Sequence, residues 1–239
     1  MALPVLLVHG IRVSRTMWDP VVGRLDRPAF AVDLPGHGSR RGETFAMAAA
    51  TEAVADAVDH VGGRALLAGL SLGGFVGIAA AGRYPARVAG LVAIGCTARS
   101  THLARLYRAA AALAARFPAQ ANQFSAYAFR RALPPPAADA VLAGGLTSEV
   151  LPAVVTAVAG HDQLGALAGY PGPVWLVNGD RDPFRADERA YLAACRDGRL
   201  VRLPRTGHVT ALADPVRLAR LIEDAAAHAE RQDRTRSAI

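Results

Sequence analysis

A three-layer α/β fold, a mostly parallel sheet covered by helices on both faces, is what this 239-residue chain predicts. Short apolar runs alternate with helical patterns along most of it, the order expected of successive β-α-β units. One strand-to-helix junction holds Gly69-Leu70-Ser71-Leu72-Gly73, a G-x-S-x-G turn between an apolar run and a helix of small residues. Between residues 99 and 169 the alternation gives way to alanine-rich helical stretches broken by Phe117-Pro118, Pro134-Pro135-Pro136, Gly144-Gly145 and Leu151-Pro152. That stretch reads as a helical insertion, leaving residues 1–98 and 170–239 to form one core.

In chain order, the apolar runs place strands at 5–9, 29–33, 65–69, 89–95, 174–178 and 199–203. Helical spacing places helices at 16–25, 45–61, 72–83, 186–194 and 214–231, the third ending at Tyr84-Pro85. The tail from Arg231 to Ile239 is too polar to fold alone and is expected to fray.

The junction at 69–73 makes Ser71 the candidate nucleophile. Glycines two residues either side let strand and helix approach without Cβ clashes, and the serine hydroxyl then projects alone at the carboxyl end of its strand. Downstream, the fifth strand ends in Gly179-Asp180-Arg181-Asp182, which offers two carboxylates, and the last strand runs through a loop to Gly207-His208. This is the order serine, acid, histidine that such an elbow calls for. His208 would take the proton from Ser71 and return it to the leaving group, while the acid orients the ring. The amide of Leu72, directly after the nucleophile and at a helix N-terminus, is a candidate donor to a developing oxyanion.

These motifs, with Leu7-Val8-His9-Gly10 and Asp33-Leu34-Pro35-Gly36-His37-Gly38, carry a resemblance. The chain resembles the α/β-hydrolase fold enzymes over nearly its whole length, and specifically compact bacterial members with a helical cap. The resemblance implies that residues 99–169 form the cap, inserted before the acid-bearing strand. It also implies that Asp182 rather than Asp180 is the acid, that the Ile11 amide is the second oxyanion donor, and that His9 is structural. Relative to the family, the first antiparallel hairpin of the sheet is missing. The fold implies a serine hydrolase cleaving a carboxylic ester, lactone or thioester. It leaves open a cofactor-free lyase, synthase or perhydrolase working in the same site, and a catalytically idle binding protein, which the presence of all three triad members argues against.

Composition removes other chemistries. All 27 basic residues are arginine, so neither Schiff-base nor lysine-nucleophile mechanisms are available. The net charge of +7 is spread from Arg12 to Arg236 instead of clustering on one predicted helix face, which argues against nucleic acid while favouring anionic substrates. The alanine-rich, lysine-free usage has the look of a GC-rich bacterial genome. Seven dispersed histidines and two distant cysteines, Cys96 and Cys195, give no metal-ligand spacing, so neither metal nor cofactor is expected. The N-terminus lacks a secretion-signal layout and no apolar run reaches the ~20 residues of a membrane span, so a cytoplasmic location with no membrane insertion is expected.

Around the site, Arg12, Trp18, Cys96 and Phe124 are candidates to line a pocket for a small acyl substrate. Arg12 follows the oxyanion loop and would hold a carboxylate or phosphate, or else lie in solvent. Met17 and Trp18 come shortly after it, Cys96 and Thr97 follow a strand end, and Phe124 lies in the cap beside Phe117, Tyr127, Phe129, Leu133 and Leu142. Arg40 and Arg41 read as solvated. No heptad or long apolar edge fixes an oligomeric state.

Overall fold

The computed structural model describes residues 2–99 and 104–237. Six strands form one sheet: β1 (Val5–Val8), β2 (Ala29–Val32), β3 (Ala65–Leu70), β4 (Val88–Ile94), β5 (Pro173–Gly179) and β6 (Asp197–Leu203). Their order is β2-β1-β3-β4-β5-β6 and every pairing is parallel. All six expected strands are present, within about two residues at each end.

Side chains alternate across the sheet and build two separate apolar clusters. Val5, Leu7, Leu66, Ala68, Val92, Ile94, Trp175 and Val177 face one layer. There they meet α1 (Asp19–Val22) and α10 (Pro215–Ser237). Leu6, Val8, Leu67, Leu91, Ala93, Val174 and Leu176 face the other. That layer contains α2 (Met47–His60), α3 (Leu72–Arg83) and α9 (Glu188–Ala194). Parallel strands need crossovers, and the crossover helices cover both faces.

Two helices differ from expectation. The helix expected over 16–25 is split into a 3-10 turn (Arg15–Trp18) and the short α1, because Pro20 lacks an N–H and fits only in the first turn of a new helix. The polar tail does not fray at Arg231: α10 runs on to Ser237, and residues 238–239 lie outside the described residues. Tertiary partners override its composition. Arg64 donates to both oxygens of Asp233 (3.0 and 2.7 Å) and Gln232 donates to Asp197 of β6 (2.6 Å).

Between β4 and β5 come α4 (Ala104–Arg116), α5 (Pro118–Ala132), α6 (Pro135–Ala143), α7 (Leu151–Ala159) and α8 (Gln163–Gly169). The prolines that break the alanine-rich pattern stand in the first turns of α5, α6 and α7, where the missing N–H costs nothing. Among the described residues, α6 and α7 extend the two clusters of the sheet, and α4 packs against α7. Ala137, Ala138 and Val141 of α6 join the cluster of Met17 and Trp18, Val154 of α7 joins the opposite cluster, and α8 rests on α3 where Ala166 meets Gly82. Among the described residues, no single helix is long and apolar enough to cross a membrane.

The loops after β1 and β2 are tied by a buried polar knot. The His9 ring donates from Nδ1 to the Gly10 carbonyl (2.7 Å) and accepts the Leu34 N–H at Nε2 (3.0 Å), which fixes its neutral tautomer. His37 lies 4.8 Å away ring to ring and donates to the Pro35 carbonyl. Asp33 accepts the amides of Arg15 (2.7 Å) and Ser39 (2.9 Å), the Ser39 hydroxyl and the Arg15 guanidinium. Burial, then the charge of His37, pushes His9 down to about 3, and burial also lowers His37. Arg41 is exposed as expected and donates from the surface to Glu149 and to the Leu146 carbonyl, and Arg40 pairs with Glu43.

Two predictions follow from this packing. Both histidines take up a proton at their usual value of 6.5 only when the chain unfolds, so the unfolded state binds more protons below that pH. Stability should therefore be full above pH 6.5 and fall steadily toward about 3, and urea unfolding of His37→Gln should show a shallower acid slope than wild type. Separately, a Cβ at Gly73 would overlap the Val8 carbonyl, so Gly73→Ala should lower the unfolding free energy by about 1–3 kcal/mol.

Candidate active site

The carboxyl ends of β1, β3, β4 and β5 meet at one edge, and Ser71 stands there between β3 and α3. Its φ of 56° lies in the left-handed region, uncommon for a residue with a side chain. The turn holds this conformation from both sides. The Ser71 N–H donates to the Ile94 carbonyl of β4 (2.7 Å), and a Cβ at Gly69 would overlap the Gly73 carbonyl.

His208 and Asp182 arrive on two loops laced to each other. The Asp180 N–H donates to the Leu203 carbonyl (3.0 Å), the Arg181 N–H to the Thr206 carbonyl (3.0 Å), and the Thr206 N–H to the Asp180 carboxylate (3.1 Å). Asp180 is thus occupied in the turn. Asp182 is buried; its Oδ1 accepts the Phe184 N–H (2.8 Å) and its Oδ2 accepts from His208 Nδ1 (2.9 Å). The far nitrogen of that ring, Nε2, lies 3.0 Å from Ser71 Oγ. With Nδ1 donating to a carboxylate, Nε2 is left as an acceptor for the serine proton.

Surrounding residues hold this line of three. Gly95, at φ 61°, brings the end of β4 so close that a Cβ there would stand 2.9 Å from Asp182 Oδ2 and 3.0 Å from His208 Nδ1. The Phe184 ring lies over His208 with centroids 4.5 Å apart, and Tyr107 of α4 lies against Phe184 at 6.1 Å. Buried Asn178 donates to Thr97 (2.8 Å) and Glu188 (3.2 Å), and Thr97 accepts the Asp187 N–H through its carbonyl (2.8 Å). This fastens the segment behind Asp182 to the end of β4.

On the opposite side, the loop after β1 passes Ser71 at Gly10, whose N–H donates to the Met17 sulfur (3.3 Å). Among the described residues, the Ile11 and Leu72 N–H groups have no hydrogen-bond partner. Arg12 follows at φ 69°, its carbonyl accepting the Thr147 N–H (2.9 Å) and its Nη1 donating to Ser125 of α5 (2.6 Å).

Of the residues expected to line a pocket, three stand elsewhere. Trp18 is wholly buried in the core cluster beneath α6, so it packs helix to sheet. Cys96 is wholly buried beside Gly74, and burial pushes its thiol well above its ordinary value, so it is an inert packing residue. Phe124 is 73% exposed on α5, so it does not line an enclosed space. Arg12 alone of the four lies at the oxyanion loop. Reading the sequence missed Phe184 and Gly95. Phe184 follows the acid by two residues and Gly95 ends a strand, but neither carries a local pattern that points to a histidine far away in the chain.

Comparison with known proteins adds a family to this geometry. A model of the alpha/beta hydrolase family matches residues 5–221. The chain is similar to a pimeloyl-[acyl-carrier protein] methyl ester esterase of Neisseria meningitidis, 40% identical over 100 residues that cover 41% of this chain and 38% of the relative. The match therefore spans well under half the length of that curated relative. In three dimensions the chain is similar to a thermophilic esterase from Thermogutta terrifontis, with TM-score 0.79, 25% identity, and coverage of 96% of this chain and 91% of that one. It also shares its fold with the enol-lactonase from Burkholderia xenovorans at TM-score 0.76 and 20% identity, covering 94% and 91% of the two chains. With the family model running from β1 into α10, the chain belongs to the alpha/beta hydrolase family.

Proposed function

We propose that the protein is a serine hydrolase that cleaves a carboxylic ester, lactone or thioester of a small acyl substrate through an acyl-enzyme on Ser71. The observation that carries this reading is the hydrogen-bonded line from Ser71 Oγ through His208 to Asp182, at 3.0 and 2.9 Å. Two partnerless amides flank the serine, and relatives named as esterases support an ester over other acyl groups.

The steps follow from the orientation of the ring. His208 Nε2 takes the Ser71 proton as Oγ attacks the substrate carbonyl, and Asp182 stabilises the imidazolium through its bond to Nδ1. Negative charge moves to the carbonyl oxygen, and the Ile11 and Leu72 amides donate to it, the latter helped by the dipole of α3. The tetrahedral intermediate collapses as Nε2–H protonates the departing alkoxide or thiolate. Water then attacks the acyl-enzyme with His208 again as base, releasing the acid and restoring the serine. Phe184, its ring 4.5 Å from that of His208 and tilted by 40°, limits the swing of the imidazole between the two proton transfers.

The helices of residues 104–159 serve as the cap in this reading. α5 lies beside the turn Val209–Ala213 that follows His208, and Tyr107 of α4 reaches Phe184. α8 belongs with the core layer, since it rests on α3.

Labelling with a small fluorophosphonate tests the nucleophile without a guess at substrate. A single adduct on Ser71, absent from Ser71→Ala and His208→Ala, is expected; folded wild-type protein that takes up no label would sink the hydrolase reading. In ester hydrolysis, Asp182→Asn should lower kcat/KM by at least about a hundredfold by misdirecting the ring, whereas Asp180→Asn should stay within about threefold of wild type. A hundredfold loss in Asp180→Asn, with Asp182→Asn near wild type, would reverse the assignment of the acid.

A further inference from the structure

We propose that Arg12 is the anchor for an anionic group on the substrate, so that the preferred esters carry a free carboxylate near the scissile carbonyl. This rests on the hydrolytic reading above and narrows its substrate class.

Among the described residues, the guanidinium of Arg12 is compensated by no acid. Its Nη1 donates to the Ser125 hydroxyl (2.6 Å), while its Nε is buried and finds no partner. Among the described residues it forms no ion pair, in contrast to the deeply placed Arg27, which donates to both Glu223 (2.7 Å) and Glu230 (3.1 Å). Arg15, three residues on, is likewise matched to Asp33 at 2.7 Å. A partly buried cation without a counter-charge is costly, and a neutral side chain would brace the loop against Ser125 as well. A site meant to receive a carboxylate from the substrate requires that no protein carboxylate pair with Arg12, and among the described residues none does.

Part of the fork remains free. Nη1 is spent on Ser125 and Nε is buried, which leaves Nη2 as the donor of the guanidinium to meet a carboxylate. The position of Arg12 is also fixed relative to the chemistry. Its carbonyl is held by the Thr147 N–H, its φ is 69°, and it directly follows Ile11, whose amide would hold the reacting carbonyl oxygen. The backbone of Arg12 is therefore placed with the oxyanion loop, and its side chain runs from there to Ser125 of α5.

The test compares monomethyl succinate, glutarate and adipate with the matching methyl esters that end in a neutral carboxamide. Wild type should favour the best acid-bearing ester over its amide partner by at least about tenfold in kcat/KM. In Arg12→Met that ratio should fall to near one, Arg12→Lys should recover part of it, and Ser125→Ala, which removes the brace and keeps the cation, should retain it. A binding arm uses Ser71→Ala titrated calorimetrically with the same compounds, with and without Arg12→Met. Hydrolysis of both ester sets at equal rates would overturn the anchor while leaving the hydrolase intact. Charge-selective binding lost in the Arg12→Met background, with no ester turnover and no fluorophosphonate adduct on wild-type Ser71, would support the anchor and overturn the hydrolase.

Discussion

At Gly73 the first turn of α3 rests directly on the carbonyls of Val8 and His9, with no room for a methyl group between them. Because of that contact, the serine turn and the loop that leaves β1 share a single piece of packed backbone. The helix that begins at Leu72 can reach no closer to β1 and, with Ser71 tied to Ile94 of β4, cannot retreat either. Ser71 in its left-handed conformation and the partnerless Ile11 and Leu72 amides are consequences of the same approach. Their relative positions are set by backbone atoms, which have far less freedom than side chains.

The other half of the site uses a different device. Asp182 and His208 lie on separate loops, 26 residues apart, and each loop alone would wander. Cross-bonds among Asp180, Arg181, Leu203 and Thr206 turn the two loops into one unit at the ends of adjacent strands. Gly95 and Phe184 then close on the acid and the ring from either side. The acid and the ring are thus held in register by backbone cross-bonds and by the close approach of Gly95 and Phe184.

Much of this was legible in the residues. Apolar runs mark strands when glycine and proline bound them, so all six appeared, and the Ser71 turn was visible because its glycines are needed for reasons confined to one strand and one helix. Strand ends likewise mark the pair Asp180 and Asp182 and the step Gly207-His208, whereas the choice of Asp182 over Asp180 came from the family resemblance. Features made by chain segments far apart were not legible. The α10 tail looks too polar to fold until Arg64 and Asp197 are placed beside it. Trp18 and Cys96 stand at suggestive positions in the chain, yet the sheet buries both, and nothing local to Arg12 announces Ser125 or the lack of an acid. Phe124, an aromatic in a helical pattern, reads as a packing or lining residue, and only the course of α5 leaves it in solvent.

The hydrogen bond from the Thr147 N–H to the Arg12 carbonyl joins the connection between α6 and α7 to the peptide that follows Ile11. Any displacement of those helices wide enough to admit a substrate therefore pulls on the loop that would receive its oxyanion. Were those helices to move for a substrate, entry and the shape of the loop would be coupled through this one bond. Such an enzyme would be slow to attack whatever fails to let the helices return, so a bulky acyl chain would be rejected in the rate of its chemistry even where it binds well.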